Sequence, residues 1–123
     1  MEIIATEKAP AAIGPYSQAI VVGDIVYTSG VIPINPETGG LPSGTDVQAR
    51  QAFSNLKNLI EAAGSSMEKI IKTTVFIRDM DKFGEINEIY EEFFKAPYPA
   101  RSCVEVARLP KDVLIEIEAI AER

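Results

Sequence analysis

The sequence predicts an α+β fold in which a mixed β-sheet carries two helices on one face. Three observations lead there. Two runs rich in β-branched residues flank Gly23-Asp24, two apolar stripes with helical spacing stand on either side of a strand-like run, and the chain closes on segments that alternate with a period of two.

Ser17 to Val22 and Ile25 to Gly30 form the first pair, joined by a two-residue loop that can take the positive φ of a tight hairpin. Residues Val31 to Gly44 carry three prolines and three glycines, which predicts an irregular surface loop. Thr45 opens a helix, with Thr45-x-x-Gln48 matching a capping box. Ala52, Phe53, Leu56, Leu59, Ile60 and Ala63 then recur on one face until Gly64 stops it. Ile70 to Ile77 reads as a strand. Asp79 or Asp81 caps a second helix whose buried stripe is Phe83, Ile86, Ile89, Tyr90, Phe93 and Phe94, and Pro97 and Pro99 end it.

Two alternating strands follow, Arg101 to Ala107 and Val113 to Ala121, separated by the turn-like Leu109-Pro110-Lys111-Asp112. In the first, Ser102, Val104 and Val106 oppose Arg101, Cys103 and Glu105. In the second, Val113, Ile115, Ile117 and Ala119 oppose Leu114, Glu116, Glu118 and Ile120. Arg101 and Glu116 are accordingly expected on one sheet face. Two right-handed crossovers would put both helices on a single side. The other side, mixing charges with Leu114, Ile120 and the Val/Ile hairpin, is an apolar area that a monomer rarely leaves in water, so a homo-oligomer with clefts between subunits is expected.

Composition narrows the function. With 123 residues, 46% of them hydrophobic, residues 1–123 fit a single domain. A formal charge of −6 with no basic run makes nucleic acid an unlikely partner. Cys103 is the lone cysteine, no run approaches a membrane span, and the start lacks signal-peptide features, so a soluble cytoplasmic protein is expected. The chain contains no histidine, which removes Ser-His-Asp, Cys-His and His-Glu-x-x-His chemistry. A single thiol does not make a structural zinc site, and no glycine pattern supports nucleotide binding.

The segment Tyr98-Pro99-Ala100-Arg101-Ser102-Cys103 sets an arginine at a strand mouth, just after two prolines. Its rigid fork of donors suits a carboxylate ligand. The alternative is an exposed ion pair with Glu105 or Glu116. Glu116 and Glu118 likewise read either as a base near an electrophilic carbon or as solvated strand charges.

Arg101-Ser102-Cys103-Val104-Glu105-Val106-Ala107-Arg108-Leu109-Pro110 and Ile115-Glu116-Ile117-Glu118-Ala119 resemble the RidA family of enamine/imine deaminases. Ala9-Pro10-Ala11-Ala12-Ile13-Gly14-Pro15-Tyr16-Ser17-Gln18-Ala19, Thr28-Ser29-Gly30 with Ile32-Pro33, and Lys72-Thr73-Thr74-Val75-Phe76 fit as well, so the resemblance spans nearly the whole chain. It implies a chorismate-mutase-like fold and a homotrimer with sheet faces inward and ligand clefts between neighbours.

The activity it implies is cofactor-free hydrolysis of 2-aminoacrylate/2-iminopropanoate and 2-iminobutanoate to 2-keto acids and ammonia. By the same resemblance Arg101 clamps the substrate carboxylate and Glu116 positions or activates water. Main-chain groups at Gly30 and Cys103 bind the ligand, Tyr16 closes the cleft, and Ser29 and Asn87 contact ligand or water. Each has a plainer reading: a buried cysteine, a packed tyrosine, an exposed asparagine. Without a base to ionise it, Cys103 reads as pocket wall rather than nucleophile. Two other functions share the motifs, a 2-keto acid binder or sensor without turnover and an endoribonuclease or translation inhibitor. The acidic charge and missing histidine oppose the second.

Overall fold

The computed structural model describes residues 1–123. Its strands are β1 (Glu2–Ile4), β2 (Ala19–Val22), β3 (Ile25–Thr28), β4 (Ile70–Ile77), β5 (Ala100–Glu105) and β6 (Ile115–Glu122), with helices α1 (Thr45–Ala62) and α2 (Phe83–Phe93). All six strands join one sheet in the order β1-β2-β3-β6-β4-β5. Only β4 and β5 run parallel, so the sheet is mixed as expected. β6 inserts between β3 and β4 and pairs antiparallel with both, which makes the last strand of the chain a central one.

Both helices cover one face. Phe53, Leu56 and Ile60 of α1 and Ile86, Ile89 and Tyr90 of α2 share a core with Val26, Val75, Ile77, Ile115 and Ile117. Phe53 meets Tyr90, Phe93 and Phe94 edge-on, at centroid distances of 5.7, 5.6 and 6.3 Å, and this aromatic cluster welds the two helices together. On the opposite face no element packs over Ile3, Val22, Tyr27 and Val104, which are 63%, 51%, 42% and 42% exposed. The uncovered apolar side expected from the strand patterns is therefore present.

Four details depart from the sequence reading. The short edge strand β1 was not anticipated, because its three residues carry too little pattern to be seen. Helix α1 is capped by Gly44 at φ 96°, not by a Thr45 capping box. The Gln48 side chain is recruited elsewhere: Nε2 donates to the Pro42 carbonyl at 2.9 Å and Oε1 accepts from Leu114 N–H at 2.8 Å. Asp79 caps a 3₁₀ turn, Met80–Lys82, that leads into α2.

The fourth departure concerns the site. Arg101 and Glu116 do not share a sheet face. Register places Arg101 level with Thr73, and Thr73 level with Ala119, all three on the helix side. Glu116 is level with Phe76, and Phe76 with Val104, on the open side. Each strand alternates as its sequence predicts, but two strands are phased against each other only through the strand between them.

Candidate functional site

The seven residues singled out from sequence fall into two groups. Arg101, Cys103 and Asn87 belong to the helix side. Tyr16, Ser29, Gly30 and Glu116 gather around the end of β3.

Arg101 lines a cleft of about 440 Å³ with Asn87, Tyr90, Glu91, Tyr98 and Pro99. The prolines that end α2 bring the chain back beside that helix, so the first residues of β5 open under its C-terminal half. Arg101 is half-buried. It makes no ion pair within the chain, where the three pairs are Arg50–Glu92, Arg108–Asp112 and Arg123–Glu2. Instead its guanidinium carbon lies 4.7 Å from the Tyr90 ring centroid and 5.4 Å from that of Phe83. The ion-pair alternative for Arg101 thus fails: Glu105 turns its carboxylate to the Met80 N–H at 2.8 Å, and Glu116 is on the other face. A fork of donors backed by aromatic rings is left available to a planar anion.

Cys103 lies two residues along on the same face and packs against the core. Burial pushes its thiol up, and the Arg101 charge offsets this only in part, which keeps sulfur protonated and a poor nucleophile. Sequence reading missed the contribution of Tyr90 and Phe83 to this half. Both were assigned to the apolar stripe of α2, and only the Tyr90 hydroxyl signalled a further role.

In the second group, Glu116 lies against Gly30. A Cβ built on Gly30 would stand 2.7 Å from both Cδ and Oε2 of Glu116, so only glycine allows this approach. Val31, the next residue, is tied to Ile117 by reciprocal backbone bonds of 2.7 and 3.1 Å, which fixes Gly30 beside β6. Burial, with a smaller contribution from Glu118, raises the Glu116 carboxyl above the ordinary glutamate range. A carboxylate so tuned is a better proton acceptor.

Ser29 Oγ donates to the Ser17 carbonyl at 2.6 Å. Tyr16 lines a crevice with Ser29 and Gly30, and its hydroxyl oxygen accepts from Ile13 N–H at 3.2 Å. Two buried amides that sequence reading passed over hold the loops in place. Gln18 accepts from Thr6 N–H at 2.7 Å and donates to the Pro10 carbonyl at 2.7 Å, which pins the segment leading to Tyr16. Asn55 donates to the carbonyls of Ile32 and Ile34 at 3.0 and 2.8 Å and so pins the segment after Gly30. No three His, Cys, Asp or Glu side chains converge as metal ligands, and no helix is long and apolar enough to cross a membrane.

Known proteins share this sequence pattern and this fold. Residues 6–123 match the family described as endoribonuclease L-PSP. The chain is 58% identical to the 2-iminobutanoate/2-iminopropanoate deaminase of Escherichia coli K12 over 123 residues, covering 98% of this chain and 96% of that one. The chain belongs to the endoribonuclease L-PSP (RidA) family. Among solved members of the L-PSP family, E. coli TdcF with bound serine superposes at a TM-score of 0.96 with 54% identity, covering 100% and 99% of the two chains. RidA from an Antarctic Psychrobacter species superposes at 0.97 with 45% identity over the whole of both chains. The L-PSP fold with its mixed sheet and two helices is thus the fold of this chain.

Proposed function

We propose that this chain, acting as a single domain over residues 1–123, is a cytoplasmic deaminase that hydrolyses 2-iminobutanoate and 2-iminopropanoate to the 2-keto acids and ammonia. The observation that carries the reading is Arg101, a half-buried guanidinium that shares its cleft with Glu91 yet is ion-paired to no carboxylate of its own chain. Several relatives at 57–58% identity carry that deaminase name. The serine bound to TdcF is likewise a small molecule with a carboxylate.

Arg101 takes the substrate carboxylate through two parallel hydrogen bonds and so orients the adjacent imine carbon. Glu116 holds water against that carbon and accepts a proton as the C–O bond forms. Glu116 returns the proton to nitrogen, which makes ammonia the leaving group, and accepts the hydroxyl proton as the C–N bond breaks and C=O forms. An iminium already hydrolyses in water, so positioning and one carboxylate are a sufficient toolkit, with no cofactor needed.

Since Arg101 and Glu116 occupy opposite faces of one sheet, a site that uses both takes one from each of two neighbouring chains. A homotrimer with open sheet faces turned inward supplies such clefts and covers Ile3, Val22, Tyr27 and Val104. Tyr16, Ser29 and Gly30 then stand on the Glu116 side of the cleft, and Asn87 and Cys103 on the Arg101 side.

Ammonia release from freshly generated 2-iminobutanoate tests the reading. The parent protein is expected to accelerate it, and Arg101→Ala to cost about 2–5 kcal/mol in kcat/KM. Background-rate hydrolysis by the folded parent would instead mark a 2-keto acid binder.

A further inference from the structure

Tyr90 lies under the Arg101 guanidinium. Thr73 and Arg101 are direct neighbours on β4 and β5. Thr73 is fully buried, and its hydroxyl has one side-chain partner, the Tyr90 hydroxyl at 2.8 Å. The same Tyr90 ring stacks on Phe94 at a centroid distance of 4.0 Å and an interplanar angle of 15°. The ring is therefore held at its tip by Thr73 and on one face by Phe94, while the Arg101 guanidinium lies 4.7 Å from its centroid. Phe83 adds a second ring at 5.4 Å. No carboxylate or carbonyl within the chain fixes the Arg101 head group.

We propose that Tyr90, locked by Thr73, is a positioning residue for Arg101. Its ring sets the plane of the guanidinium and leaves the fork's donors free for the substrate carboxylate. A protein carboxylate could hold Arg101 equally still, but it would occupy the donors that the ligand needs. An aromatic face attracts the cation without consuming a hydrogen bond. The Thr73–Tyr90 bond matters because a buried hydroxyl pair resists separation, which stops the ring from tilting away when the ligand pulls on Arg101. This proposal rests on Arg101 being the carboxylate clamp, and its test keeps the two apart.

Binding of pyruvate and of pyruvamide, its uncharged counterpart, is measured for the parent, Arg101→Ala, Tyr90→Leu and Tyr90→Phe. Tyr90→Leu is expected to weaken pyruvate about tenfold, the scale of a desolvated cation–π contact, and to leave pyruvamide unchanged. Tyr90→Phe, which keeps the ring but removes the hydroxyl bond to Thr73, is expected to fall between the parent and Tyr90→Leu. In the Arg101→Ala background Tyr90→Leu adds nothing. Equal losses for both ligands, or full additivity with Arg101→Ala, would overturn the positioning role and leave the clamp standing. Undiminished pyruvate binding by Arg101→Ala would overturn the clamp itself. If Tyr90→Leu does not fold, Thr73→Val, which removes the lock and keeps the ring, carries the test: a pyruvate-selective loss of about threefold supports the proposal, and no selective loss overturns it.

Discussion

Arg101 and Glu116 are only two strands apart in the sheet yet project from opposite faces, Arg101 level with Thr73 and Glu116 level with Phe76. One chain carries the Arg101 cleft on its helix side and Glu116 on its open side. Tyr90 and Phe83 flank the Arg101 guanidinium, and Gly30 approaches the Glu116 carboxyl closely.

Subunit exchange follows directly from this arrangement. Arg101→Ala and Glu116→Gln are each expected to be nearly inactive alone. Refolded together in equal amounts as trimers, they should regain about a quarter of parental activity, since a cleft draws an intact Arg101 half and an intact Glu116 half each with a chance of about one half. Recovery of no activity from verified mixed trimers would place both residues in one chain's site.

In the proposed mechanism the ionised form of Glu116 sets the pH profile. Burial and Glu118 raise its folded-state value, so the ionised form becomes a liability to stability as pH climbs through that value, while catalysis requires the ionised form. The acid limb of kcat/KM is therefore expected above the ordinary glutamate range. Glu118→Gln removes the like charge and should move that limb to lower pH. A limb that stays put in the variant would show that Glu118 does not couple to the reacting carboxylate.

Gly30→Ala probes the contact between loop and base. The new methyl would meet the Glu116 carboxyl at 2.7 Å, so the carboxylate must move. A displacement near 1 Å costs roughly 100-fold in kcat, with thermal stability changed far less. Parental kcat in this variant would remove Glu116 from the chemistry.

Asn55→Leu tests the loop behind Gly30. Asn55 is fully buried and satisfies the Ile32 and Ile34 carbonyls. Leaving them unpaired should cost about 1–3 kcal/mol in denaturant unfolding at fixed protein concentration. It should also lower kcat, because Gly30 and Val31 lose their support. Unchanged stability would mean that other groups can satisfy both carbonyls.

Much of the chain was legible from local pattern. The Gly23-Asp24 hairpin, the stripes of α1 and α2, the Gly64 stop and the alternation of β5 and β6 all depend on neighbours a few residues away. The roles of Gln18, Gln48 and Asn55 were not legible, because a buried amide finds its partner across as many as 66 residues of sequence. Tyr90 was hidden for a related reason: helical spacing marks it as core, and only the return of β5 beside α2 sets an arginine on its ring.

By itself the sequence determined the elements other than β1, the amphipathic faces and the chemistry available: an arginine fork and carboxylates, with no histidine and one thiol. Only the tertiary structure decided the phase between the strands. Insertion of β6 between β3 and β4, with β5 parallel at the edge, sends Arg101 to the helix side and Glu116 to the open side. Each strand's alternation is a local steric fact, but which set of side chains turns inward depends on hydrogen-bond register with a strand distant in sequence.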